Sequence, residues 1–258
     1  MVLIAVAGGT GSAGRAVVEE AVARGYRVRS LSRRLPSADK RVAGAEYVQA
    51  DFSTAAGVAA GLAEVDALIE TLDARSGSAL RALPVTSVAV LAAAAAAGIS
   101  RCVLLTIVRA NESSMGYYQA QAARALSYEH SGLPTTVVYA TQFHNLVAGI
   151  FAAGARVGVI PVFKGVSFQP IATSDVARVL VAAAVSEGQG NRKVVAGGPE
   201  VHGMNGLASQ WKEATGSSAV ALPVPLPGSF GGFLRAGKNL VPEAAVGTVT
   251  FRDWVASR

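Results

Sequence analysis

Cysteine is nearly missing from this chain, Cys102 being the only one in 258 residues. One thiol excludes an intrachain disulfide and a cysteine-built metal cage, and it suits a reducing cytoplasm. Histidine is confined to His130, His144 and His202, with no HxxxH spacing or carboxylate cluster, which argues against a metal site. No G-x-S-x-G hydrolase elbow occurs. Charge is sparse at 16%, and although the net +6 would attract anions, no basic run is longer than a pair such as Arg33–Arg34. Nucleic acid requires a clustered basic stripe with aromatics between, so that class of partner is not expected. The charge-free stretch between Arg81 and Arg101 is long enough for a membrane span. It is interrupted by Pro84, Thr86, Ser87 and Gly98 and is largely weakly apolar alanine, so a buried core helix is expected and no membrane association. Met1–Ala7 lacks a basic n-region and leads into a glycine-rich turn, unlike a secretory signal.

What is present is apolar and periodic. A hydrophobic content of 51% over this length supplies a full core and excludes a disordered chain. Val2–Ala7 reads as a strand, Ala13–Gly25 as an amphipathic helix and Tyr26–Ser32 as a second strand. Further strands are expected near Tyr47–Gln49, Ala67–Glu70, Cys102–Thr106 and Thr135–Tyr139, with helices at about Val85–Ala97 and Tyr117–His130. Apolar strands separated by helices predict a doubly wound α/β fold, a parallel sheet covered on both faces. Beyond about residue 150 glycine and proline become frequent, with helices at about Ser174–Val185 and Gly206–Thr215. This predicts a nucleotide-binding domain over 1–150 and a smaller substrate-cleft lobe over 151–258 that does not fold independently.

The segment AVAGGTGSAGRAVV sets glycines 8, 9, 11 and 14, with Thr10 and Ser12, between the first strand and the first helix. Glycine there lets the backbone approach a pyrophosphate while the free N–H groups and dipole of the helix start face the anion. A ribose-reading residue is expected about twenty residues further on, where Arg33 and Arg34 stand in place of an acid. Two guanidiniums at that point suit a 2′-phosphate and favour NADP(H) over NAD(H), unless both are solvated loop residues. Asp51, after the third strand, is placed to bond an adenine amino group or to cap the next helix.

GGTGSAG, LSRR, QAD, AAAAAGISRCVLLT, YYQAQAARALSYEHSGLPTTVVYATQFHNLV and FQPIATSDVARVL together resemble the atypical short-chain dehydrogenase/reductases, in particular their NmrA-like branch. The likeness runs over nearly the whole chain. It implies a Rossmann-type domain with an NAD(P) cofactor and a substrate cleft formed with the C-terminal lobe, in a group that includes both reductases and redox-sensing regulators. In catalytic members of the wider family a tyrosine donates a proton while hydride arrives from the nicotinamide, and a lysine four residues later lowers the phenol pKa. Here Tyr117 is followed by Gln121, which can bond ribose hydroxyls but brings no charge. Thr106 stands where the family has a serine, Ala125 where glutamate is usual and Tyr139 where arginine is usual. No lysine lies between Lys40 and Lys164, so only Lys164 in PVFKGVSF could substitute, as a substrate-side cation or as a plain surface lysine.

In ATQFHNL, Gln142 and Phe143 are candidates to face the nicotinamide, and His144 is a candidate for substrate binding and proton donation, or a helix-flanking residue. The reading is an NADPH-dependent oxidoreductase passing hydride to a small quinone-like or natural-product acceptor, with homo-oligomerisation open. Two alternatives stand beside it: a non-catalytic NADP(H) sensor that binds a partner protein, and an isomerase, dehydratase or cyclase that retains the cofactor.

Overall fold

The computed structural model describes residues 1–186 and 190–258. In chain order the elements are β1 (Leu3–Ala7), α1 (Ser12–Ala23), β2 (Arg27–Ser32), β3 (Ala45–Gln49), α2 (Val58–Leu62), β4 (Ala67–Glu70), α3 (Gly77–Ala96), β5 (Arg101–Ile107), α4 (Gly116–Glu129) and β6 (Thr135–Ala140). They continue with α5 (His144–Ala155), β7 (Val159–Phe163), β8 (Ser167–Phe168), α6 (Thr173–Val185), β9 (Arg192–Ala196), β10 (His202–Gly203), α7 (Met204–Thr215), β11 (Val220–Val224), α8 (Gly228–Arg235) and α9 (Phe251–Ala256).

A seven-stranded sheet in the order β3-β2-β1-β4-β5-β6-β9 carries the architecture, every pairing parallel. Side chains alternate across a strand, so β1 divides its apolar residues between two cores. Leu3, Ala5 and Ala7 pack on one face with Val90, Leu91, Ala94 and Tyr128 from α3 and α4. Ile4 and Val6 pack on the other with Val17 and Val18 of α1 and Val176 and Leu180 of α6. Burial on both faces is the reason the strands read as continuous apolar runs. Chain order reverses between β1 and β4, the crevice where doubly wound sheets bind ligands at the strands' carboxyl ends.

A third core joins Tyr118, Val147, Phe151, Val162, Phe168, Trp211 and Phe233, beyond the carboxyl end of the sheet's β5–β6 side. It is framed by the two-stranded pairs β7–β11 and β8–β10. Pro161 and Pro223 sit within β7 and β11, where a two-stranded ribbon has free edges that tolerate a missing N–H.

The expected smaller lobe over 151–258 also sends part of its chain to the main sheet. After the first lobe strands the chain returns to the main sheet: α6 covers its α1 face and β9 adds a strand beside β6. The lobe is thus built from two separated stretches. The helix expected from Val85 begins at Gly77 and carries Pro84 inside it, because packing on α4 outweighs the local cost of proline. This α3 is the one helix among the described residues long and apolar enough to cross a membrane. The core-helix expectation holds for one face only, since Leu83, Ser87, Val90, Leu91 and Ala94 are buried whereas Val85 is 73% exposed.

Candidate cofactor and active site

At the end of β1, Gly8 turns the chain with φ +84°, a conformation that side chains other than glycine rarely adopt. Its N–H donates to Leu31 O at 2.9 Å, and Gly11 N donates back to Gly8 O at 2.9 Å. A Cβ on Gly14 would lie 2.6 Å from Thr71 Oγ1 and closer still to the Gly8 carbonyl oxygen. Gly14 therefore permits the close seating of α1 on β1 and β4. A Cβ on Gly11 would meet only Gly8 O, at 3.3 Å, so this glycine faces open space beside the exposed Thr10 and Ser12. No acidic residue occupies the first turn of α1. Glycine cradle, open face and uncompensated helix start together fit a pyrophosphate. Ser12 Oγ accepts from Asn145 Nδ2 at 3.1 Å, tying this turn to α5.

Arg33 and Arg34 follow β2, both exposed, and neither guanidinium has a hydrogen-bond or ion-pair partner among the described residues. Asp51 Oδ1 accepts from Ser53 N at 2.9 Å and Ser53 Oγ at 2.6 Å, closing a local turn after β3. Those bonds, and less strongly the charge of Arg33, hold its carboxyl below the usual carboxylate value. The structure thus supplies a turn-forming role for Asp51 while leaving it beside Arg33.

Tyr117 and Gln121 lie on one face of α4, as their spacing requires. Both converge on Asp73 in the loop after β4. Tyr117 OH donates to Asp73 Oδ1 at 2.9 Å and Gln121 Nε2 to the same oxygen at 3.2 Å. Burial first, then the Asp73 charge and hydrogen bond, push the Tyr117 phenol well above its ordinary value. The Gln121 orientation is set from behind, because Arg124 Nη1 donates to its Oε1 at 2.7 Å. Arg124 is in turn ion-paired to Glu70 at 2.8 Å, with the two side chains 1% and 0% exposed. Ser87 Oγ and Tyr128 OH donate to the Glu70 oxygens at 2.6 Å each. A relay of hydrogen bonds so runs from the core to the phenol: Glu70, Arg124, Gln121, Asp73, Tyr117.

Sequence reasoning missed Asp73, Arg124 and Glu70. Arg124 had a signal, since a charge three residues after Gln121 on an otherwise apolar helix face needs a buried partner, and Glu70 closes the apolar run ALIE.

Other candidates fall outside this relay. Thr106 is buried and donates to the Gln121 backbone carbonyl at 3.1 Å, bracing β5 against α4. Gln142 is buried just after β6, its Oε1 accepting from Asn239 Nδ2 at 3.4 Å while its Nε2, on the side chain that faces Tyr118, has no well-formed hydrogen bond among the described residues. Phe143 pairs through its backbone with Ile171 and packs in the α1–α6 core. Lys164 is exposed in the turn between β7 and β8. His144 opens α5, as the helix-flanking alternative has it: it is 1% exposed, Nε2 meets Val249 O at 2.9 Å, and the ring packs against Phe251 and Trp254. Val249 N and Thr248 N donate to Asp175 Oδ2, so His144 and Asp175 together pin the C-terminal segment. Burial lowers the His144 pKa, which keeps the ring neutral in this fastening role.

A search of curated proteins returned no match. Among solved structures the chain is similar to NADPH-dependent quinone oxidoreductase QOR2 from Escherichia coli complexed with NADPH, at 17% identity and a TM-score of 0.81 over 98% of this chain and 99% of that one. It is similar also to Citrobacter sp. triphenylmethane reductase complexed with NADP(H), at 18% identity and 0.70 over 98% and 95%. A third similarity is to UDP-N-acetylglucosamine 4-epimerase from Bacillus cereus, at 17% identity and 0.73 over 100% and 98%. At such identities the likeness shows the Rossmann-like fold. A family model described as NAD(P)H-binding matches residues 8–187, from the glycine turn through α6. With that match over more than half its length, the chain belongs to the NAD(P)H-binding family, in keeping with its resemblance to the atypical short-chain dehydrogenase/reductases.

Proposed function

We propose that the protein is an NADPH-dependent oxidoreductase that transfers hydride to a small organic acceptor. The observation that carries this reading is the juxtaposition of the Gly8–Gly14 cradle with two guanidiniums, Arg33 and Arg34, that have no partner among the described residues and stand at the end of the neighbouring strand. The cradle takes the pyrophosphate, the arginines take the 2′-phosphate, and Asp51 adjoins the adenine end. When bound, the cofactor supplies the hydride, and the chain's own residues bind it, orient it and exclude water. Gln142 contributes, just after β6, an amide N–H with no well-formed hydrogen bond among the described residues. Tyr117 presents a neutral phenol held by Asp73. The apolar lobe core, with Phe151, Val162 and Phe168, backs the acceptor side. Burial, and then the Glu70 charge, raise the Cys102 thiol to about 12 and leave it inert.

The quinone oxidoreductase and the triphenylmethane reductase among the similar structures support a reductase. NADPH oxidation followed by absorbance across quinones, enones and ketones tests it, turnover of any acceptor supporting the reading. One observation favours a second reading, a dinucleotide sensor: Gln121 brings no charge to the phenol, whose pKa is raised rather than lowered. Failure of every acceptor, together with a partner protein bound only in one redox state of the cofactor, would select the sensor.

A further inference from the structure

The charge balance around Tyr117 is unlike that of a tyrosine–lysine pair. Position 121 is a neutral amide whose two ends are both engaged, by Arg124 at 2.7 Å and by Asp73 at 3.2 Å. The cation buried behind this amide, Arg124, is compensated by Glu70. What remains turned outward is Asp73, 41% exposed, with Arg75 at 3.6 Å and itself 67% exposed. Relative to a lysine at position 121, one positive charge is removed, and the carboxylate that meets the Tyr117 phenol is countered by the exposed Arg75 guanidinium alone. Asp73 stands two residues after Thr71, whose Oγ1 donates to Ala7 O at 3.0 Å and lines the Gly14 contact, so this carboxylate adjoins the dinucleotide turn.

We propose that Asp73 is a specificity-determining residue that recruits cationic acceptors, in which the electron-poor carbon belongs to an iminium or a similarly delocalised positive system. The inference rests on the oxidoreductase reading above and names its substrate class. A carbonyl acceptor gains negative charge on oxygen as it is reduced, and a neighbouring carboxylate opposes that charge. The phenol that would neutralise it donates its hydrogen bond to Asp73 instead. A cation is attracted by the same carboxylate. Its reduction places a hydride on carbon and returns the C=N π pair to nitrogen, so the product is neutral and no proton is drawn from the protein; the reductant is reduced nicotinamide.

The test requires no turnover. The full chain, with and without NADP+, is titrated by fluorescence with N-methylacridinium and with its isostere acridine, at a mildly alkaline pH where acridine is uncharged. The wild type is expected to bind the cation about fivefold more tightly than acridine, the upper range for a partly exposed ion pair, and the preference should shrink with added salt. Asp73→Asn and Asp73→Ser should each abolish the preference. Arg75→Ala should widen it by removing the competing guanidinium. Equal binding of the two probes by the wild type, or a preference surviving in both Asp73 variants, overturns the proposal. Failure of the wild type to bind NADPH in a parallel titration would instead refute the oxidoreductase reading.

Discussion

Replacing Arg124 with methionine should destabilise the fold sharply, whereas removing both members of its ion pair should not. Arg124 and Glu70 are 1% and 0% exposed and 2.8 Å apart. Without the guanidinium, Glu70 keeps only the Ser87 and Tyr128 hydroxyls, and a buried carboxylate lacks a countercharge. Breaking a buried pair from one side costs about 3–5 kcal/mol, a large share of the roughly 5–15 kcal/mol that holds a domain together. In the double variant Glu70→Gln/Arg124→Met no charge is stranded, so most of that loss should be recovered. Urea unfolding followed by circular dichroism reads this as a lowered midpoint with an unchanged slope. The same single substitution frees Gln121 Oε1, so the Tyr117 environment should change as well. A loss below about 1 kcal/mol for Arg124→Met, the size of an exposed pair, would refute the claim that the relay is anchored in a charged core.

Gly14→Ala places a methyl 2.6 Å from Thr71 Oγ1, so α1 must shift and NADPH affinity should fall about tenfold or more, read by calorimetry. Tyr117, like the fully buried Tyr128, has a folded-state pKa above the ordinary tyrosine value of 10.0. Its contribution is therefore complete below about pH 10 and lost as pH rises further, and Tyr117→Phe should flatten that alkaline loss in a thermal-melt series. His144 is shifted the other way from the ordinary histidine value of 6.5, so its contribution is present above that pH and lost as pH falls through the lower folded value. His144→Phe should flatten the acid limb of the same series. Loss of NADPH turnover by a folded His144→Gln would restore an acid–base role for this ring.

The first strand–helix–strand unit was legible because short continuous apolar runs flank the glycines and an amphipathic run of helical period. That Tyr117 and Gln121 share a face was legible too, since an i, i+4 pair needs only helix geometry, while the lysine that Gln121 replaces is what the family resemblance implies. What escaped the sequence depends on distant partners. Arg124 and Glu70 are 54 positions apart, and only the packing of α4 over β4 brings them together. His144 finds its carbonyl 105 positions away, so local sequence left it between a proton donor and a helix-flanking residue. The last sheet strand, β9, escaped because its charged start, RKVVA, is mostly exposed at the sheet edge and follows a glycine-rich stretch. Pro84 hid the first turns of α3, a local penalty overruled by tertiary packing.

The central claim, a dinucleotide site that reads a 2′-phosphate, is tested most directly by calorimetric titration of NADPH and NADH into the wild type and into Arg33→Ala and Arg34→Ala. Charge-assisted hydrogen bonds to the 2′-phosphate contribute about 1.5–3 kcal/mol each before desolvation, so NADPH should bind at least about tenfold more tightly than NADH. Each alanine variant should erode that ratio while leaving NADH affinity unchanged. Equal affinities for the two cofactors, or a preference that neither variant reduces, would contradict the account.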